Sequence, residues 1–298
     1  MPEFVHLLSQ SGRLVLTSPD IAAEEHFVHE TTTRKDLIFG LPDATQDLDL
    51  SRTSTYAVAN GLSSDKPIKY LDERNYAIAT AGSESSGHSE GMYIHIIGIL
   101  LLKRNVMLES LNGHAITESF TIHERAHSTH APTPIEMLHS VGGKLFWKRH
   151  LTNADKTRSG FGFNARHKGR GVFLEEAYAE LERGLFVEHF DLIDDFTAGA
   201  NNYDKAKQSG IPMKYFYKHV LPDGTSSLTL APGALPVIVL DAFIESDSEN
   251  LQIMRSARRD TEGLRQFIQK LNTFMPGLYA RLLHTDTEDV VNLIKNLR

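Results

Sequence analysis

Cysteine is absent from this chain of 298 residues. Its absence excludes disulfides, thiolate metal ligands and thiol nucleophiles, so a metal site in this protein has to use histidine and carboxylate ligands. Positive charge is scarce too, because 31 Lys and Arg residues stand against 38 Asp and Glu residues. We therefore expect no binding of nucleic acid or of anionic membranes, since both require a basic surface.

Long apolar runs are missing as well. The longest, Ile96–Leu102, is far shorter than the ~18 residues that a membrane-spanning helix needs. The segment 1–14 has neither the basic start nor the extended apolar stretch of a secretory signal. These absences predict a soluble, cytoplasmic protein, and they leave its oligomeric state open.

The first part of the chain, residues 1–88, contains short apolar segments between turn residues, a pattern typical of strands. TYAVA (55–59) and YAIAT (76–80) are both predicted as strands followed by polar loops. A Ser/Gly-rich stretch, residues 83–90, is predicted as the link to the second part, residues 89–298. The pattern assigns no role to the first part.

Residues 89–150 combine a strong strand signal with a helix signal. Met92–Lys103 is apolar and rich in β-branched residues, which predicts one strand buried on both faces. A helix is predicted from about residue 114 up to Pro132, because a proline disfavours helical geometry in the residue before it. Within residues 135–150, a short helix is predicted that begins after Pro134 and stops at the two glycines, 142 and 143.

Most of the remaining chain is predicted to be helical. After a polar, basic loop at residues 152–171, Val172–Ile193 has apolar residues in steps of four and is predicted as a helix. Amphipathic helices follow over residues 248–274 and 285–297, with a break at Pro276 and Gly277 between them. Thr285 begins a capping box for the last helix.

The segment HERAH, His123–His127, contains the pattern H-E-x-x-H. Residues four apart share one face of a helix, so both imidazoles can bind the same zinc ion. Glu124 lies next to them and can act as general base on a water activated by zinc. A short pattern also arises by chance, and the alternative is a polar helix whose histidines bind nothing.

A catalytic zinc ion takes three protein ligands and keeps one position open. The motif supplies two, and the residues alone leave the third open among His130, His139 and a carboxylate elsewhere. The metzincin pattern fails, because it needs a histidine where this chain has Thr133 and a glycine where it has His130.

A second segment, FLEEAYAE (Phe173–Glu180), follows HERAH in the chain. Together, in this order, the two segments resemble the gluzincin metallopeptidases, such as thermolysin and the aminopeptidase N-like enzymes, in which the aminopeptidase segment reads W-L-N-E-G-F-A-E. The resemblance implies that Glu176 is the third zinc ligand and that Glu180 orients a ligand histidine. Glu175 remains an alternative ligand; Glu176 is preferred because only it is followed four residues later by an acidic residue.

The resemblance covers two short helices and implies an α+β, zincin-like fold. In that fold a mixed β-sheet and the HExxH helix are followed by a mostly helical C-terminal part, here within residues 89–298. The aminopeptidase strand G-x-M-E-N is absent from EGMYI (90–94), so an exopeptidase is not expected. For the residue that stabilises the oxyanion we choose Tyr217 by placement, from a set of candidates: Tyr203, Tyr215, Tyr217, His219 and His167.

These observations predict a zinc-dependent endopeptidase that acts on peptides or proteins. Its zinc ligands are His123, His127 and Glu176, and Glu124 is its general base. The alternatives are a metal-binding regulatory or scaffold protein without general proteolytic activity, and a chain in which FLEEAYAE is only an amphipathic surface helix. The substrate and its cleavage preference cannot be read from the sequence.

Overall fold

The computed structural model shows an α+β protein in which helices predominate and the sheets are small. It describes residues 13–14, 35–44, 49–81, 91–94, 98–104, 115–129, 133–141, 144–150, 157–159, 161–165, 168–170, 172–220, 223–230, 234–259 and 261–284. The α+β class predicted from the sequence is confirmed.

The helices lie mostly in the second half of the chain. They are α1 (Ser51–Ala59), α2 (Glu73–Ala79), α3 (Ala115–Ser128), α4 (Val172–His189), α5 (Ile193–Thr197), α6 (Tyr203–Gln208), α7 (Ala234–Ser246), α8 (Asn250–Ala257), α9 (Thr261–Phe274) and α10 (Leu278–His284). Residues 35–40 are also helical, and Met213–Tyr215 form a short 3-10 helix. The predicted break at Pro276 and Gly277 is confirmed, whereas the predicted last helix lies outside the described residues.

The strands form three groups. They are β1 (Arg13–Leu14), β2 (Ile68–Leu71), β3 (Gly91–Ile94), β4 (Ile99–Lys103), β5 (Thr133–Val141), β6 (Lys144–His150), β7 (Thr157–Ser159), β8 (Gly162–Ala165), β9 (Lys168–Arg170), β10 (Phe216–Val220) and β11 (Ser226–Leu230). One sheet has the order β2–β4–β3, a second joins β1 with β5 to β9, and β10 pairs with β11.

The apolar segment before the HERAH helix is a hairpin, so the predicted single strand Met92–Lys103 is wrong. Strand β3 runs antiparallel to β4, and β2 pairs with the other side of β4 in parallel. Gly98 has a φ of 66°, a left-handed conformation that suits glycine and reverses the chain between the two strands. The burial predicted for this segment is confirmed for Ile99–Leu102 of β4, each at most 1% exposed.

The two strands predicted in residues 49–81 are wrong as well, because both segments are helical. Thr53, Tyr56 and Ala57 of α1 are buried, and their spacing of three and four is helical rather than alternating. The carboxylate of Asp72 accepts a hydrogen bond from the backbone N–H of Asn75 at 2.7 Å and caps α2. Helix capping and burial therefore override the strand-like composition.

Residues 133–150 form the hairpin β5–β6, which corrects the predicted short helix. Val141 pairs with Lys144 across a two-residue connection, Gly142–Gly143, a type of sequence that favours tight hairpins. The predicted loop at 152–171 is wrong in part, because it contains β7, β8 and β9.

Helix α4 occupies the centre of the helical part. It packs against α3, α7 and α10, and its apolar side chains are buried in the largest hydrophobic cluster. Those side chains are Leu174, Ala177, Tyr178, Ala179 and Leu181. The helix predicted for Val172–Ile193 is thus confirmed as far as His189, and the alternative of a surface helix is wrong.

Residues 49–81 also brace α3 from the other side. The guanidinium of Arg125 on α3 donates to the carbonyl of Ser63 at 2.9 Å, and the N–H of Ser63 donates to Thr129 Oγ1 at 3.1 Å. Arg52 of α1 pairs with the buried carboxylate of Glu118 on α3. The described residues 49–81 therefore support the helix that carries HERAH. Within the described residues, no helix has both the length and the apolar character that a membrane crossing requires.

The close packing of α8 on α9 generates a prediction. A Cβ atom added at Gly263 would lie 2.6 Å from the backbone carbonyl carbon of Ser256, so the backbones would have to separate. We expect Gly263→Ala to lower the free energy of unfolding by roughly 1–3 kcal/mol in urea titrations. Gly40→Ala is the matched control, because nothing lies within 4 Å of its added Cβ. Equal stability of the two variants would contradict this packing.

Candidate metal centre

Three side chains from α3 and α4 converge on one point. His123 and His127 lie one turn apart on α3, and their Nε2 atoms are 3.1 Å from each other. Glu176 comes from α4 and places Oε2 3.4 Å from His123 Nε2 and Oε1 3.5 Å from His127 Nε2. Among the described residues this trio is the group of histidine and acidic side chains whose ligand atoms lie close enough to hold a metal ion.

These distances fit zinc. With zinc–ligand bonds of about 2.0–2.1 Å, tetrahedral coordination separates neighbouring ligand atoms by about 3.3–3.4 Å. The Nε2–Nε2 separation of 3.1 Å lies close to that value, and each Glu176 oxygen lies a similar distance, 3.4 or 3.5 Å, from one of the two Nε2 atoms. The set of two imidazole nitrogens and one carboxylate is also one that catalytic zinc sites use.

Each histidine is held by a second carboxylate at its other ring nitrogen. His123 Nδ1 lies 3.5 Å from Glu180 Oε2, and His127 Nδ1 lies 3.3 Å from Glu175 Oε1. A carboxylate at Nδ1 keeps the ring proton there and turns the Nε2 lone pair outward. With the ring proton at Nδ1 of each neutral histidine, both Nε2 lone pairs would face the space between the two Nε2 atoms, where a cation or a proton relieves their repulsion.

Glu124 has a separate environment between α3 and β3. Its side chain is 5% exposed, and its carboxylate is hydrogen-bonded by the backbone of Tyr93. Gly91 of β3 lies so close that an added Cβ would meet Glu124 Oε1 at 3.0 Å. Burial raises the pKa of Glu124 above its usual value, and the neighbouring histidines oppose that shift only in part.

The structure also distinguishes the two candidate glutamates on α4. Both Glu175 oxygens are engaged away from the Nε2 atoms, with Oε2 accepting the N–H of Phe161 at 2.8 Å and Oε1 facing His127 Nδ1. Arg258 forms a buried ion pair with the same carboxylate. Glu176 is thus the glutamate that faces the shared point, and Glu175 supports the ring of His127.

The carboxylates around the two histidines shift the pKa values of all three side chains in the trio. Burial disfavours the charged form of His123, but hydrogen bonds to Glu176 and Glu180 outweigh it and raise its pKa to about 9. Burial likewise opposes the charge of His127, and Glu176 and Glu175 raise the pKa of that histidine well above its usual value. Against burial, the nearby His127 holds the pKa of Glu176 well below its usual range.

The described polar contacts of the trio include none of the other candidates, several of which lie outside the described residues. Tyr217, on β10, is half-buried and packs against two hydrophobic clusters, so its assignment to the oxyanion stays a prediction. The remaining candidates divide as follows: Tyr215 is buried, Tyr203 lies on α6, His219 is exposed, the side chain of His139 on β5 is not described, and His130 and His167 lie outside the described residues.

Sequence reasoning missed the residues that complete the centre from other parts of the chain. Gly91 and Tyr93 stand in EGMYI, where the sequence offered only a partial likeness to a family strand. Arg183 donates to Glu180 Oε1 at 2.7 Å and lies three residues after it, a spacing that signals a helical ion pair. Arg258 has no local signal, because its partner is 83 residues away in the chain.

Comparisons of the chain with protein-family models, curated proteins and solved structures found no match.

Proton release is the first consequence of this geometry. At pH 7 the raised pKa values keep His123 and His127 largely protonated, and zinc binding has to displace these protons. We expect release of at least about one proton per zinc ion, and an apparent affinity that rises with pH up to about 9. Calorimetric titration in buffers of different ionisation enthalpy measures this number. A binding enthalpy independent of the buffer would contradict the prediction.

Proposed function

We propose that this protein is a zinc-dependent metallopeptidase of the gluzincin type with a zincin-like fold, acting as an endopeptidase on peptides or proteins. The observation that carries the proposal is the trio itself: two Nε2 atoms 3.1 Å apart and a glutamate facing both. The residues of HERAH and FLEEAYAE that the resemblance selects are the ones that meet there.

His123, His127 and Glu176 would hold the zinc ion. Zinc, when bound, supplies a Lewis acid that lowers the pKa of an adjacent water and polarises the carbonyl under attack. Water and substrate can reach the trio from the side of Glu176, since the side chain of Glu176 is 40% exposed whereas that of His127 is 9% exposed.

Glu124 is the proposed general base. It follows His123 directly in α3, so its carboxylate lies beside the metal ligands without being one of them. Burial raises its pKa, which improves a carboxylate as a proton acceptor at neutral pH and as a donor afterwards. We assign it the transfer of a proton from the attacking water to the leaving amine. The hydrogen bond from the Tyr93 backbone and the close approach of Gly91 fix its position.

Strand β3 provides a place for the substrate backbone. Among the described strands of its sheet it stands at the edge, and it packs directly against α3. An extended peptide can add to such an edge by backbone hydrogen bonds. Within the apolar segment Met92–Lys103, β4 is central in its sheet and β3 is the edge that lies beside Glu124.

The alternative, a metal-binding regulatory or scaffold protein, needs the zinc ligands but not a general base. The role of Glu124 therefore distinguishes this alternative from a peptidase. A buried carboxylate with a raised pKa beside a metal group is typical of a catalytic base, because ligand support alone does not require it. This favours the peptidase over a structural metal site.

Glu124→Gln tests the proposal directly. We expect hydrolysis of a library of internally quenched peptides to fall about 10²- to 10⁴-fold, while zinc content stays at the wild-type level. Glutamine keeps the size of the side chain but cannot accept the proton.

Glu118→Gln is the matched control on the same helix. Glu118 is also buried but pairs with Arg52, away from the trio, so hydrolysis should stay close to wild type. Undiminished hydrolysis in Glu124→Gln, or a zinc-loaded wild type that cleaves no peptide, would contradict the peptidase.

A further inference from the structure

Arg258 follows α8 and is 1% exposed, which is unusual for an arginine. A buried charge is tolerated only when it is paired and hydrogen-bonded. Arg258 meets that requirement with partners from two other helices. These partners indicate which part of the structure the arginine supports.

The hydrogen bonds of Arg258 go to groups that adjoin His127. The guanidinium bonds to both oxygens of Glu175 and donates to the carbonyl of Ala126, the residue immediately before His127. Its flat face lies 4.1 Å from the ring centroid of Tyr178, one turn after Glu175 on α4. Arg258 therefore fixes both the backbone next to His127 and the carboxylate at its Nδ1.

Glu175 is immobilised as a result. Arg258 holds both of its oxygens, and the N–H of Phe161 donates to Oε2 at 2.8 Å. The carboxylate has little freedom to rotate, so Oε1 stays opposite His127 Nδ1 at 3.3 Å. Carboxylates in this position fix the tautomer and orientation of a ligand histidine and thereby set metal affinity.

We propose that Arg258 is a positioning residue for the metal centre: through Glu175 it orients His127 and so couples the C-terminal helices to zinc affinity. This inference rests on the metal centre of the proposed function, though not on peptidase activity. His123 has an analogous support in Glu180 and Arg183, but both belong to α4. Only the His127 support, among the described contacts of the trio, reaches into the C-terminal helices.

The chain contains a closely matched control. Arg255, on the last turn of α8, forms a buried ion pair with Glu182, which like Glu175 lies on α4, through two bonds of 2.7 Å. The hydroxyl of Tyr178 donates to Glu182 at 2.8 Å, so this pair shares a neighbour with Arg258. The described hydrogen-bond partners of Glu182 are Arg255 and Tyr178, and neither is a histidine. The two pairs thus join the C-terminal end of α8 to α4 and differ in the contact with His127.

The test compares Arg258→Lys with Arg255→Lys. Lysine keeps the charge but cannot bridge Glu175 and Ala126 with a planar fork. We expect both variants to have a lower melting temperature than wild type. Zinc affinity, measured by competition with a chromogenic chelator, should fall about 10- to 100-fold in Arg258→Lys and less than about twofold in Arg255→Lys. Equal losses in the two variants, or none, would overturn the proposal.

A second readout uses metal-free protein labelled with ¹⁵N-histidine. The Nδ1–H proton of His127, identified by its loss in His127→Ala, should be protected from exchange in wild type and in Arg255→Lys. It should lose that protection in Arg258→Lys. If wild type binds no zinc, the proposed peptidase is wrong, but the exchange of this proton still tests whether Arg258 positions His127. Protection of the proton in Arg258→Lys would overturn the positioning role. Should Arg258→Lys not fold, Glu175→Gln against Glu182→Gln gives the same comparison with the same expected outcomes.

Discussion

The Nε2 atoms of His123 and His127 lie 3.1 Å apart, and two imidazole nitrogens at that distance repel each other unless a proton or a cation lies between them. The carboxylates of Glu180 and Glu175 enforce this arrangement by occupying the opposite ring nitrogens. Turning either ring away would break a contact with a buried carboxylate. The arrangement is therefore stable only with a positive charge between the nitrogens. Protons supply that charge in the metal-free chain, and Glu176 adds a carboxylate to a group that could hold a metal ion.

Holding this arrangement requires several buried charges, and α4 carries most of them. Glu175, Glu180 and Glu182 are each at most 6% exposed, and each is paired with an arginine. Removing one member of such a pair typically costs about 3–5 kcal/mol, because the other charge remains buried and unpaired. The helix is thus both the centre of the largest hydrophobic cluster and the frame of the candidate metal centre. This double role explains why an apparently amphipathic pattern, with apolar residues in steps of four, is buried on more than one side.

The sequence predicted the parts of the centre that local spacing determines. Residues four apart on a helix share a face, so HERAH was sufficient to place His123 beside His127, and FLEEAYAE placed Glu176 and Glu180 on one face of α4. It could not reveal Arg258, since no local pattern marks a contact between residues 83 positions apart. Short apolar runs were the other source of error. A run of five residues fits a strand or a helix equally, and in TYAVA the packing of Tyr56 and Ala57 decided for the helix.

The most direct test of this account is the zinc content of the purified protein, measured by elemental analysis for wild type, Glu176→Ala and Glu188→Ala. Glu188 lies on the same helix but contacts Lys214 instead of the trio, so its variant controls for changes in α4. The account predicts about one zinc ion per chain in wild type and in Glu188→Ala, and a large loss in Glu176→Ala, as a three-ligand site requires. A wild-type protein that binds no zinc even after incubation with the ion would contradict it, as would full zinc content in Glu176→Ala.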